Sequence, residues 1–128
     1  MTSAHTAYDD LFARIVSSAP KGTVIPKPRT DKHIVKGLGC RRGELAIVYT
    51  IPNQHKPTQP SEKGVTKSEI EATYAELVRS GVVTRKWFTM NLPECYAEGP
   101  CNYTSIGGLL VLIGVARYDV SSCNYKLA

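Results

Sequence analysis

The residues best suited to chemistry in this sequence are cations beside glycines, in the stretch Gly37-Leu38-Gly39-Cys40-Arg41-Arg42-Gly43. Glycine-rich backbone can turn its N–H groups toward an anion, and the two arginines would add charge. The spacing matches neither the dinucleotide fingerprint nor the P-loop, and no helix is expected directly after it. A tight connection between two strands explains the glycines equally well. The stretch therefore predicts either an anion cradle or a turn.

Positive charge is concentrated in one part of the chain. The net charge is +5, and residues 21–64 alone carry nine basic and three acidic side chains. Such a segment attracts phosphate backbones or an acidic protein surface, although a solvated face that maintains solubility has the same composition. Two further basic residues, followed by a tryptophan, occupy positions 85–87. The predicted nucleic-acid or anion-binding residues are Lys36, Arg41, Arg42, Arg85, Lys86 and Trp87.

Other reactive side chains occur without a recognisable partner. The cysteines are Cys40, Cys95, Cys101 and Cys123, and no two of them have the short spacing of a zinc knuckle. We predict free thiols, with a Cys95–Cys101 disulfide or a metal site as alternatives. The possible acid–base groups Glu44, Glu62 and His55 stand singly. The sequence thus predicts no catalytic residues, no metal ligands and no cofactor.

One helix has both of its ends marked in the sequence. Thr66 and Glu69 have the spacing of a capping box, in which each side chain bonds the backbone N–H of the other residue. Apolar residues recur at helical spacing after Ile70. Gly81 stands where a left-handed residue ends a helix. We therefore predict a helix from the residue after Thr66 to the residue before Gly81.

The remaining elements follow from apolar spacing, prolines and glycines. They are a helix at 5–19, an extended connection at 20–30, a short strand at 33–35 that ends at Gly37 and Gly39, a buried strand at 44–51, a surface loop at 52–64, a strand at 82–88, an irregular loop at 91–105, a central strand at 109–118 and an edge segment or tail over the last ten residues.

Together these elements predict an α+β fold, with two helices packed on an antiparallel sheet of three to five strands. A length of 128 residues suits a single domain spanning residues 1–128. The first residues lack a basic region followed by an apolar one, and the longest apolar run is short for a membrane helix. We therefore expect a cytosolic protein without a membrane partner.

Two resemblances accompany this interpretation. The blocks at 35–44, 49–53 and 104–108 resemble those of small uncharacterised bacterial proteins found in integron gene cassettes. That resemblance implies carriage on a mobile element and no particular chemistry. Residues 66–118, with a helix, a glycine, a strand, a long loop and a strand, are similar to the second half of a winged-helix domain. This similarity implies a recognition helix, a β-hairpin and a wing.

The expected function is a small binding protein whose basic surface engages nucleic acid or an acidic protein partner. The alternative is a small-ligand binding protein or enzyme with a pocket between the sheet and the loop at 91–106. The oligomeric state and the identity of a ligand do not follow from the sequence.

Overall fold

A computed structural model of the protein describes residues 4–29, 32–52 and 58–128, and the side chains within them from residue 10 onward. The described chain confirms the predicted α+β class. It contains more helices than the two expected, and its strands form two three-stranded antiparallel sheets instead of one. The elements are α1 Ala4–Ser18, β1 Ile34–Arg41, β2 Glu44–Ile51, β3 Ser61–Thr66, α2 Lys67–Ser80, β4 Val82–Val83, α3 Arg85–Asn91, α4 Pro93–Glu98, α5 Asn102–Leu112, β5 Ala116–Asp119 and β6 Asn124–Leu127.

The glycine-rich stretch forms strand β1 and the turn that follows it. Arg42 and Gly43 have φ angles of 50° and 75°, so both positions of the turn are left-handed, as a tight antiparallel hairpin requires. The prediction that the first strand ends at Gly37 and Gly39 is wrong. The strand accommodates Gly37 at an irregularity in its pairing with β2, and Gly39 lies so close to Val48 that a Cβ there would approach it within 2.7 Å.

Strand β2 was predicted with its correct limits, and it is the central strand of the first sheet. The predicted loop at 52–64 is partly wrong, because its end belongs to strand β3. There Val65 pairs with Ile47, and both side chains are buried. Residues 53–57 of that loop lie outside the described residues. Pairing with a central strand thus outweighs the polar, proline-rich composition of the preceding segment.

Helix α2 has the ends that the sequence predicted. The Thr66 hydroxyl accepts the Glu69 N–H, and the Glu69 carboxylate accepts the Thr66 N–H, at 3.2 and 2.8 Å. Gly81 has a φ of 80° and donates its N–H to the Leu77 carbonyl. The buried side of the helix includes Ile70. The predicted helix at 5–19 is also confirmed, as α1.

The predicted strand at 82–88 is wrong beyond its first two residues. Thr84 accepts the Trp87 N–H at 3.0 Å and caps helix α3. A side-chain cap favours a helix over a β-rich composition because it satisfies a backbone donor that a helix start leaves unpaired. The side chains of Arg85 and Trp87 therefore follow helical spacing and not the alternation of a strand.

The segment after α3 is also helical. Helices α4 and α5 replace the predicted loop at 91–105, and only β5 remains of the predicted strand at 109–118. Most of α5 is buried, including Ile106, Leu109 and Leu110. A helix that is apolar on all sides resembles a buried strand in sequence, which explains the wrong assignment. Gly108 lets the Pro26 carbonyl approach the helix closely.

Strand β6 is the middle strand of the second sheet, whose strand order is β4-β6-β5. The predicted edge segment or tail is therefore a central strand. Tyr125 in β6 is buried and pairs with Tyr118 in β5. Buried residues of both sheets and of α1, α2 and α5 form one continuous hydrophobic cluster.

None of the helices within 4–29, 32–52 and 58–128 combines the length and the apolar character needed to cross a membrane.

Candidate anion-binding cleft

The predicted site residue Arg42 lies among carboxylates. Its guanidinium donates to both carboxylate oxygens of Glu69, at 2.6 and 2.8 Å. It also donates to Glu98 at 2.6 Å and to the Gly64 carbonyl at 2.9 Å. The hydrogen bonds that Arg42 donates to Glu69 are the main cause of its raised pKa. The positive charge of Arg42 is thus balanced by carboxylates of the protein itself.

The other two cations of the hairpin have glutamate partners as well. Arg41 donates to Glu98 at 3.0 Å, and Lys36 forms an ion pair with Glu62 at 2.6 Å. The bond from Lys36 is the main reason why the pKa of Glu62 is lowered. These partners reduce the positive potential that the hairpin presents to an external anion.

The three remaining predicted residues begin helix α3 and have different surroundings. The Arg85 guanidinium lies over the Tyr103 ring, 4.7 Å from its centroid, and donates to the Pro100 carbonyl at 3.1 Å. Lys86 is exposed, and Trp87 packs at the edge of the core. The six predicted residues therefore fall into two groups, one paired with glutamates and one centred on Arg85.

Arg85 lines a cleft with a volume of about 410 Å³. Its walls come from the segment before β1, from the α4–α5 connection with the start of α5, and from the β5–β6 hairpin. Among the described residues, no acidic side chain lines this cleft. The lining residues are Lys27, Pro28, Arg29, His33, Arg85, Pro100, Cys101, Tyr103, Thr104, Tyr118 and Cys123.

Lys27 is held against the wall at the start of α5. Its ammonium donates to the Cys101 carbonyl, the Thr104 hydroxyl and the Ser105 hydroxyl, at 3.2, 2.9 and 2.7 Å. It also lies 5.7 Å from the centroid of the Tyr49 ring. An ammonium has three N–H groups to donate. Lys27 therefore contributes a fixed positive charge to the cleft.

The opposite wall carries a phenol close to both arginines. A hydrogen bond with Cys123 is the main cause that raises the pKa of Tyr118, while the charges of Arg85 and Arg29 act in the opposite direction. Both guanidinium groups thus act electrostatically on the same hydroxyl. Burial is the main cause that raises the pKa of Tyr103 to about 12, while the charge of Arg85 acts in the opposite direction.

This arrangement can hold an anion without further rearrangement of Arg85. Within the described part of the chain, Arg85 uses one of its N–H groups, on Pro100. The others can bind a carboxylate or a phosphate in the paired geometry that guanidinium favours. The Tyr103 ring supports the guanidinium through a cation–π contact. The described residues contain no group of three or more His, Cys, Asp or Glu side chains placed to hold a metal ion.

Sequence patterns point to Arg85 but not to Lys27, Arg29, Tyr118 or Cys123 as residues of a site. The extended connection predicted at 20–30 contains Pro28, whose restricted backbone stiffens one wall of the cleft. The part of the wall at residues 100–104 belongs to the 91–106 segment beside which the alternative hypothesis placed a pocket. In the structure all four cysteines are free thiols.

Comparison of the chain with protein-family models, with curated proteins and with solved structures finds no match.

Proposed function

We propose that this protein binds a small anionic molecule in the cleft beside Arg85. The observation that supports the proposal is the guanidinium of Arg85, which lies over the Tyr103 ring and donates to the Pro100 carbonyl. It lines a cavity to which Lys27 and Arg29 add positive charge. These two contacts restrict the guanidinium before a ligand binds, which reduces the side-chain entropy lost on binding.

The contrast with the hairpin supports the same site. Arg41 and Arg42 have glutamates within hydrogen-bonding distance, so an incoming anion there would compete with internal partners. The described lining of the cleft offers no such competitor. A concave surface with a few converging polar groups is also the usual form of a small-molecule site.

Replacing Arg85 with glutamine is expected to weaken anion binding about tenfold or more, because hydrogen bonds to a charged group contribute about 1.5–3 kcal/mol each. The measurement is a titration with inorganic phosphate and with naphthoate, followed by amide chemical shifts. The matched control is Lys86→Gln, which removes the neighbouring exposed charge and should change affinity about twofold or less. Equal affinities for the parent and the Arg85 variant would contradict the proposal.

A nucleic-acid or acidic-protein surface is a second candidate function. It is supported by Arg85 and Lys86, which stand next to each other and are both exposed. The winged-helix resemblance of residues 66–118 adds no support to this candidate, because helices α3 to α5 lie between β4 and β5, where the resemblance implies a wing, and β6 separates the two strands in the sheet.

For the second candidate we expect weak, sequence-tolerant binding of DNA or RNA that falls steeply with added salt. The double variant Arg85→Gln, Lys86→Gln should weaken it, whereas Lys36→Gln should not, because Lys36 is paired with Glu62. An electrophoretic mobility-shift assay at low salt measures the binding of the parent, of the double variant and of the Lys36 variant. The absence of any shift with mixed pools would contradict this function.

A cytosolic location is part of the proposal. The four free thiols agree with a reducing compartment.

A further inference from the structure

A second lobe adjoins the cleft. This lobe has a volume of about 440 Å³ and shares the wall formed by Lys27, Pro28, Arg29, Tyr118 and Cys123 with the first. Its other described lining residues are Pro26, Val111, Val120 and Tyr125. Lys27 and Arg29 lie on the shared wall, Arg85 lines only the first lobe, and the residues that line only the second lobe carry no charge. A ligand that fills both lobes is therefore best matched by a charged group at Arg85 and an apolar group against the far side of the second lobe.

Aromatic rings and prolines form much of the wall of the second lobe. Tyr118 and Tyr125 pack edge to face, with ring centroids 5.1 Å apart, and Tyr125 packs in the same way on Tyr103 at 5.4 Å. The prolines of the opposite segment have restricted backbones. The Pro26 carbonyl is packed closely against Gly108 of α5. Rigid walls favour a rigid ligand, since neither partner loses much conformational entropy.

We infer that the ligand is an aromatic anion, with a carboxylate or phosphate at Arg85 and a planar ring in the second lobe. This inference rests on the proposed function and names the class of ligand. The ring would pack against Tyr118, and the nearby Arg29 offers a cation to its face. A lobe of this size is ample for one or two fused rings, since benzene fills a cavity of about 150 Å³.

A series of related ligands tests the inference on the whole protein. Naphthoate, cyclohexanecarboxylate and acetate share a carboxylate and differ in the group attached to it, while naphthalene methanol keeps the rings and lacks the charge. We expect naphthoate to bind most tightly, and cyclohexanecarboxylate to bind about two- to tenfold more weakly because it lacks ring–ring contacts. Acetate should bind more weakly still. The affinity for naphthalene methanol should be about tenfold or more lower than the affinity for naphthoate, because the alcohol carries no charge.

Two variants of Tyr118 test the contact between the ligand ring and this side chain. Tyr118→Leu should bring the affinity for naphthoate close to that for cyclohexanecarboxylate, whatever its effect on acetate, and Tyr118→Phe should keep the preference for the aromatic ligand. The melting temperature and amide spectrum of each variant report whether its fold is intact. If naphthoate and acetate bind parent protein equally, or if Tyr118→Leu keeps the full preference, the inference is overturned while anion binding stands. If no anion binds, the proposed function itself fails.

Discussion

Replacing Glu69 with alanine is expected to lower the free energy of unfolding by about 3 kcal/mol. Glu69 is 7% exposed, and its carboxylate both accepts two hydrogen bonds from Arg42 and completes the capping box with Thr66. Its removal leaves part of the Arg42 charge without a partner. Glu98 stays in contact with Arg42, and the expected loss is therefore at the lower end for a broken buried ion pair.

Two matched variants separate the roles of Glu69. Glu69→Gln keeps the geometry of the capping box and removes the charge, whereas Thr66→Ala removes the cap and should cost about 1 kcal/mol. If the ion pair dominates, the glutamine variant loses most of what the alanine variant loses. A glutamine variant as stable as the parent in urea unfolding would show that the pair contributes nothing.

The same pair makes part of the stability depend on pH. Burial opposes ionisation of Glu69, but the hydrogen bonds from Arg42 and from the Thr66 backbone hold the pKa of Glu69 below its ordinary value of 4.5. The unfolded chain therefore takes up this proton at a higher pH than the folded chain does. The stability contributed by the lowered pKa of Glu69 is complete above about pH 4.5. It is lost as the pH falls through the pKa that Glu69 has in the folded protein. The difference in stability between the parent and Glu69→Gln should shrink accordingly on acidification.

Replacing Gly108 with alanine should destabilise the protein by about 2 kcal/mol, through overpacking. In an open helix the same change is stabilising, by up to about 1 kcal/mol. At Gly108 a Cβ would lie 2.2 Å from the Pro26 carbonyl oxygen and 2.6 Å from Ile25, so backbone must move. Because Pro26 precedes the cation-bearing wall of the cleft, the variant should also bind the anion more weakly.

Gly43→Ala is the control for this prediction. Gly43 has a φ of 75° and open space around its Cβ position. Alanine there should cost about 1 kcal/mol through backbone strain alone and leave ligand binding unchanged. Thermal unfolding and an anion titration of both variants make the comparison. A Gly108 variant more stable than the parent would mean that α5 does not pack tightly on the Pro26 segment.

The elements predicted correctly from the sequence are those decided by neighbouring residues. Helix α2 is the clearest case, because the groups that satisfy its ends, Thr66, Glu69 and Gly81, lie within or next to the helix. The hairpin turn at Arg42 and Gly43 is similar, since a short turn requires left-handed residues whatever surrounds it. The anion-cradle hypothesis for the same stretch did not include the glutamates that now pair with its arginines.

The tertiary structure decided the elements whose conformation depends on distant partners. The apolar run in α5 suits a buried strand or a buried helix equally, and its packing on the Pro26 segment and Tyr125 selected the helix. Strand β6 exists because β4 and β5 flank it. The cleft depends on folding in the same way, because Lys27, Arg85 and Tyr118 are far apart in sequence. Local hydrogen bonds can be inferred from spacing, whereas a site assembled from three separate segments is determined only when the core brings those segments together.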